Sequence, residues 1–286
     1  MYLGHKNTIA RYRTVQPPII SVVFTSRSAR NAYAKPLGNL TYEIGFEDGL
    51  LAFFRHFSDW LANEKGAFPK LNQQHQGQFA DYMMYCWADL VGFHEWSHIL
   101  LGHVGRVTTM PTQLNEIQDE RVGLFKAALY RAGEYEADTW GAKFSFARIS
   151  TITNHLQSLF YQNGSKFDVY EDYGFIAFSL FKQLEELERL EGGHGLAMLD
   201  LKRTHPNSIV RTWFMKKGVS EALDLVSKAE NLDPKELKQS FWAGVARAQR
   251  FYGDGPLKII AASIYYVIGL SLYPLLMRIR SPERLF

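Results

Sequence analysis

A glutamate set between two histidines places the strongest constraint on what this chain can fold into. Residues 94–98 read His94-Glu95-Trp96-Ser97-His98, an H-E-x-x-H sequence. Positions i and i+4 lie about 40° apart around an α-helix, so on a helix His94 and His98 share a face and can hold one metal ion. Glu95 then stands beside them without being a ligand, where it can accept a proton from water at the metal. Trp87, Leu90, Val91 and Leu101 recur with the histidines at helical spacing, which predicts a helix over residues 78–103. Two imidazoles do not complete a catalytic metal site. A third protein ligand has to come from elsewhere, so the fold must bring a second element against this helix.

Composition narrows the class. A chain of 286 residues suffices for one large domain or two small ones. The net charge is +3, without a dense Lys/Arg run, so nucleic acid is not the favoured partner. Cys86 is the single cysteine, which excludes an internal disulfide and a thiolate zinc cluster. Residues 1–15 hold no apolar core of signal-peptide length, and the expected location is cytoplasmic. Residues 259–277 are uncharged and are followed by Arg278 and Arg280. Their length is the lower limit for a membrane span, but Tyr265, Tyr266, Ser271 and Pro274 interrupt the apolar run. Residues 1–256 are therefore read as the main domain and 257–286 as an apolar C-terminal helix. That helix either completes the core or associates with the inner face of a membrane.

The remaining elements follow from periodicity. Residues 19–25 are β-branched and read as a short buried strand; 29–38 read as a strand ending in a Pro/Gly turn; 40–46 alternate as a half-buried strand. Residues 48–63 are an amphipathic helix, 66–77 a polar loop, and 105–113 a break after the metal-site helix. Helical patterns run over 116–152, with Gly133 as a candidate break, and over 169–190 and 206–217; a further one opens at Asp233-Pro234 and ends near Tyr252.

Two segments offer the missing ligand. His103 lies about 180° around the helix from His94 and points away unless the helix ends first. A histidine third ligand in H-E-x-x-H-x-x-G-x-x-H would need glycine at 101 and histidine at 104, where Leu101 and Val104 stand, so His103 reads as structural or as a support for a ligand. Glu134, in Gly133-Glu134-Tyr135-Glu136-Ala137-Asp138, is the better candidate. Asp138 shares its helix face and could accept a hydrogen bond from a ligating histidine, fixing that ring's tautomer. Glu136 points elsewhere by about 200°, and the bland alternative for all three acids is a solvated face. His205, in Thr204-His205-Pro206, could steady an oxyanion or merely cap a helix.

Taken in order, NAYAKPLG (31–38), HEWSHILLGH (94–103), EYEAD (134–138) and THPNSIVR (204–211) resemble the gluzincin zinc metallopeptidases of the HtpX and CaaX-prenyl-endopeptidase type. The order also resembles the Lit-type phage-exclusion peptidases. The resemblance implies zinc held by His94, His98 and Glu134, with Glu95 catalytic and Asp138 supporting. It further implies transition-state contacts from His205 and Arg211. Leu37 stands where the family often has glycine, and paired N-terminal membrane spans of the HtpX kind are missing.

The expected fold is α+β and zincin-like, a small N-terminal sheet against a mostly helical body that carries the HExxH helix. An extended peptide would add to the strand around residues 32–35. The expected activity is that of a zinc endopeptidase on a protein substrate. The alternatives are a catalytically silent zinc-binding regulator and a membrane-anchored interaction protein.

Overall fold

The computed structural model describes residues 18–104, 114–115, 124–161, 163–190 and 208–253. The 105–113 break, Thr204-His205-Pro206 and the apolar stretch 259–277 lie outside the described residues. Within them the chain is α+β. A small sheet is built from β1 (Ile19–Thr25), β2 (Ala32–Gly38), β3 (Thr41–Glu47) and the two-residue β4 (Leu114–Asn115). Its order is β1-β3-β2-β4, with β1 parallel to β3 and the other pairs antiparallel. Asn39 and Leu40, both at positive φ, make the tight turn between β2 and β3.

β1 departs from the expected buried strand. It is an edge strand, with Ile19 66%, Val22 55% and Phe24 66% exposed. A β-branched run reports extended backbone, not burial, and only the neighbouring layers decide the second. In β3 the burial is concentrated at the C-terminal end, where Ile44, Gly45, Phe46 and Glu47 are all covered and simple alternation is lost.

The helical body begins with α1 (Asp48–Asn63), whose Leu50, Phe54 and Leu61 are buried at helical spacing and whose Asp48 favours the N-terminal dipole. A 3-10 turn at Gln73–His75 leads into α2 (Gln76–Leu100), the central helix. Phe79, Met83, Cys86, Trp87, Leu90 and Val91 are buried along α2, and its last turns bury His94, Glu95, Ser97 and His98. The sheet lies on this helix through β2 and β3.

Then come α3 (Leu124–Ser150), α4 (Thr153–Phe160), α5 (Lys166–Leu190), α6 (Ser208–Glu230) and α7 (Pro234–Phe251). Gly133 does not break α3, which is continuous. Asp233 caps α7 by accepting from the Lys235 amide at 2.6 Å, with Pro234 in the first turn. Trp87 donates from Nε1 to the Ile176 carbonyl at 2.8 Å, tying α2 to α5 inside the core that all these elements share. Among the described residues no helix is long and apolar enough to cross a membrane.

Two glycines let the site-bearing helices meet at backbone distance. A Cβ on Gly141 of α3 would lie 3.0 Å from the His94 amide nitrogen on α2. A Cβ on Gly218 of α6 would lie 2.0 Å from the Thr139 carbonyl oxygen on α3, so any side chain there forces the helices apart.

Candidate metal centre

The C-terminal end of α2 turns the sequence pattern into a site. The helix stops at a Schellman motif: Gly102, at φ 70, donates to the Ile99 carbonyl at 3.0 Å, and His103 donates to the His98 carbonyl at 2.8 Å. The left-handed residue is what glycine supplies cheaply. The turn reverses the chain, so His103 does not continue around the helix away from His94. Its Nδ1 comes to 2.8 Å from His98 Nδ1. The condition left open by the sequence, that the helix end before His103, is met.

α3 delivers the acids. Glu134 Oε2 lies 3.4 Å from His94 Nε2, and Glu134 Oε1 lies 3.4 Å from His98 Nε2. The two Nε2 atoms are 2.9 Å apart. One ligand atom from each of His94, His98 and Glu134 falls within 4.8 Å of the others, and all three residues are buried. This is a group that could hold a metal ion. Glu95, the neighbour of His94, is 1% exposed.

The outer nitrogens of the two histidines are held differently. His94 Nδ1 sits 2.9 Å from Asp138 Oδ1. Asp138 also takes two hydrogen bonds from Arg211, from Nε to Oδ2 at 3.0 Å and from Nη2 to Oδ1 at 2.8 Å. Arg211 in turn lies over the Phe181 ring at 4.9 Å. Burial pushes the Asp138 carboxyl up, but Arg211 and His94 outweigh it and hold it below the usual carboxylate range. The Nδ1 of His98 faces a second imidazole in place of a carboxylate: His103, whose Nε2 lies 3.0 Å from Glu136 Oε2.

The donor set suits a cation. Ionised Asp138 accepts only, so His94 donates from Nδ1, and a neutral ring held that way would carry its lone pair on Nε2. That nitrogen, His98 Nε2 and the Glu134 carboxylate then converge in a buried space. Such a set, two imidazoles and one carboxylate, matches the three protein ligands of known catalytic zinc sites.

The acids of residues 134–138 are therefore not a solvated face: Glu134 is 3%, Glu136 9% and Asp138 4% exposed. Arg211, expected at a transition state, has its guanidinium engaged by Asp138. Sequence reasoning did not find the Asp138–Arg211 and His103–Glu136 pairs. For the second, the readable signal was Gly102, a helix-stop residue placed just ahead of a histidine. The edge of β2 is also not bare where a peptide was expected to add, since Tyr33 pairs with Asn115 and Ala34 with Leu114. Compared with known proteins, the chain matches no protein-family model, no curated protein and no solved structure.

Proposed function

We propose that the protein is a zinc-dependent endopeptidase of gluzincin type on a zincin-like fold. Its ligands would be His94, His98 and Glu134. The observation that carries this reading is the buried convergence of those three side chains from two separate helices, with Glu95 enclosed beside them. Zinc bound there would supply a Lewis acid and lower the pKa of water next to it. Glu95 is the group placed to accept a proton from the attacking water and return it to the leaving amine. Asp138 holds His94 in the tautomer that presents Nε2. Arg211, with two donors on Asp138, holds that carboxylate in place of the transition-state contact first assigned to it. His205 keeps the oxyanion role that the family resemblance implies. A peptide that adds to β2 at Tyr33 and Ala34 takes the place of β4.

A silent zinc scaffold explains less, because a structural site has no use for a buried carboxylate such as Glu95 beside its ligands. The substitution Glu95→Gln is nearly isosteric and removes only the proton acceptor. The variant is expected to retain zinc at wild-type stoichiometry while peptidase turnover falls by about 10² or more. Turnover is followed by the appearance of new N-termini in a proteome digest. A Glu95→Gln protein with wild-type turnover removes Glu95 from the chemistry, and a wild type without metal removes the zinc reading.

A further inference from the structure

We propose that the apolar stretch 259–277 of this chain docks on a row of aromatic rings along α1, with Trp60 as the main contact. α1 turns Leu50, Phe54 and Leu61 to the core. Beside that stripe Phe53, Phe57 and Trp60 recur at i, i+4 and i+7 on one flank of the helix. Their rings follow one another, with centroids 6.0 Å apart for Phe53 and Phe57 and 4.8 Å apart for Phe57 and Trp60. The inner side of the row rests on Trp87, 6.0 Å from Phe57. The outer side is unfinished: Phe53 and Phe57 are half-buried, and Trp60 is 40% exposed. A continuous row of rings open to water on one side is a docking surface, unlike a single exposed apolar residue.

The path of the chain names the occupant. The row continues onto the last residue of α7, Phe251, whose ring lies 6.1 Å from Trp60. Gly253, at φ 67, then stops α7 and donates to the Arg250 carbonyl at 3.2 Å. From Gly253 to residue 259 the backbone spans at most about 20 Å, so the apolar stretch starts near Trp60. Running back along α1 as a helix as far as Tyr273, it extends about 22 Å, against about 24 Å for the 16 residues of α1. Ile259, Ala262, Tyr266, Gly269 and Tyr273 fall on one face of such a helix. Small Ala262 and Gly269 alternate there with large side chains, which leaves gaps for the α1 rings to enter.

Two other occupants fit less well. A bilayer span takes roughly 20 apolar residues, and Pro274 interrupts a regular helix before that length is reached. Tyr265, Tyr266 and Ser271 carry hydroxyls that find partners at a protein surface more readily than in hydrocarbon. A second copy of the chain competes with a stretch that its own short linker holds at roughly millimolar effective concentration.

The test reads both sides of the contact in the full chain, by hydrogen exchange over 259–273 and by hydroxyl-radical labelling of Trp60. In the wild type Trp60 is expected to label slowly. Tyr266→Asp is expected to speed that labelling, and Trp60→Asp to speed exchange over 259–273 by about tenfold. Leu225→Asp, at another exposed apolar side chain, is expected to change neither. Exchange over the α2 peptide checks that each variant is folded. A wild-type Trp60 that labels as fast as an open indole overturns the proposal without any variant. So does a Trp60→Asp protein whose exchange over 259–273 stays within about twofold of wild type. Protection that responds to Leu225→Asp instead puts the stretch elsewhere. Protection seen only with phosphatidylglycerol–phosphatidylethanolamine vesicles assigns it to a membrane, and protection lost on dilution assigns it to a second copy; each result defeats docking on α1.

Discussion

Asp138 on α3 and Asp172 on α5 are both fully enclosed aspartates facing one arginine, yet their carboxyls end on opposite sides of the ordinary range. For Asp138, burial is outweighed by Arg211 and His94, and the carboxyl stays ionised more readily than usual. For Asp172, burial wins over Arg247 and the Tyr161 hydroxyl, and the carboxyl is pushed up to about 6. The difference lies in how the arginine is shared. Arg211 puts Nε and Nη2 on Asp138. Arg247 is divided between Asp172 and Glu171, and Glu171 also takes Lys70 at 3.1 Å. The two regions look alike in sequence, each a run of acids on a helix. The α5 cluster is closed by fixed cations and a phenol alone, whereas the α3 cluster, besides Arg211 on Asp138, faces imidazoles, which offer lone pairs. Buried acids closed only by permanent cations and a phenol build a scaffold, and buried acids that also meet histidines build a group that could hold a metal ion.

The sharpest way to break that contrast is metal content. His98→Ala and Glu134→Ala are each expected to take bound zinc from about one per chain to near zero by elemental analysis, while Arg247→Met leaves it unchanged. Equal retention in all three would erase the distinction. A smaller effect compares the arginines. Arg211→Met strands an ionised Asp138 and is expected to cost about 3–5 kcal/mol in urea unfolding of the metal-free protein. Arg247→Met is expected to cost less at pH 5, because Asp172 can hold its proton there. Matching losses at pH 5 would contradict the opposite shifts of the two carboxyls.

The smallest effect is on the pH slope. The folded pKa of Asp172 lies above the ordinary value of 3.8, so the folded state binds the proton more tightly. Its contribution to stability is fully present below 3.8 and is lost as pH rises through about 6. Asp89, pushed up to about 6 by burial that outweighs the lowering by Ser145 and Arg148, adds the same sign. Asp172→Asn should flatten the fall in stability between those values, by up to about 1.4 kcal/mol per pH unit for one proton. An unchanged slope in both Asp172→Asn and Asp89→Asn would show that neither carboxyl is raised.

Short-range physics explains which parts of the fold were legible beforehand. α1 was read to the residue, because its apolar spacing and its flanking polar residues agree. The pairing of His94 with His98 on α2 was legible because one helix face fixes the first relative to the second. The arrival of Glu134 was a guess about which of several acids a second helix would present, and burial of all three was not visible in a run that also suits a solvated surface. α4 was missed altogether, since eight residues with Thr153, Leu156 and Phe160 buried carry too short a pattern. α6 runs to Glu230, well past the expected end, because Gly218 serves its contact with Thr139 and not a stop. The parallel pairing of β1 with β3 is a matter of topology, which no local periodicity encodes.

The backbone-distance crossings at Gly141 and Gly218 have a consequence for how the site is assembled in time. A chain that has formed only α2 has the two histidines and Glu95, but not Glu134, beside them. Adding α3 in any position but the one Gly141 allows leaves Glu134 off its partners, and Arg211 reaches Asp138 only after α6 has settled against Thr139. The ligand set therefore comes together through contacts between residues distant in sequence, after the loops between them have closed. If that group holds a metal ion, uptake in a refolding chain should lag the appearance of helix and coincide with the last tertiary step, so that the ion would report a finished protein and not nucleate one.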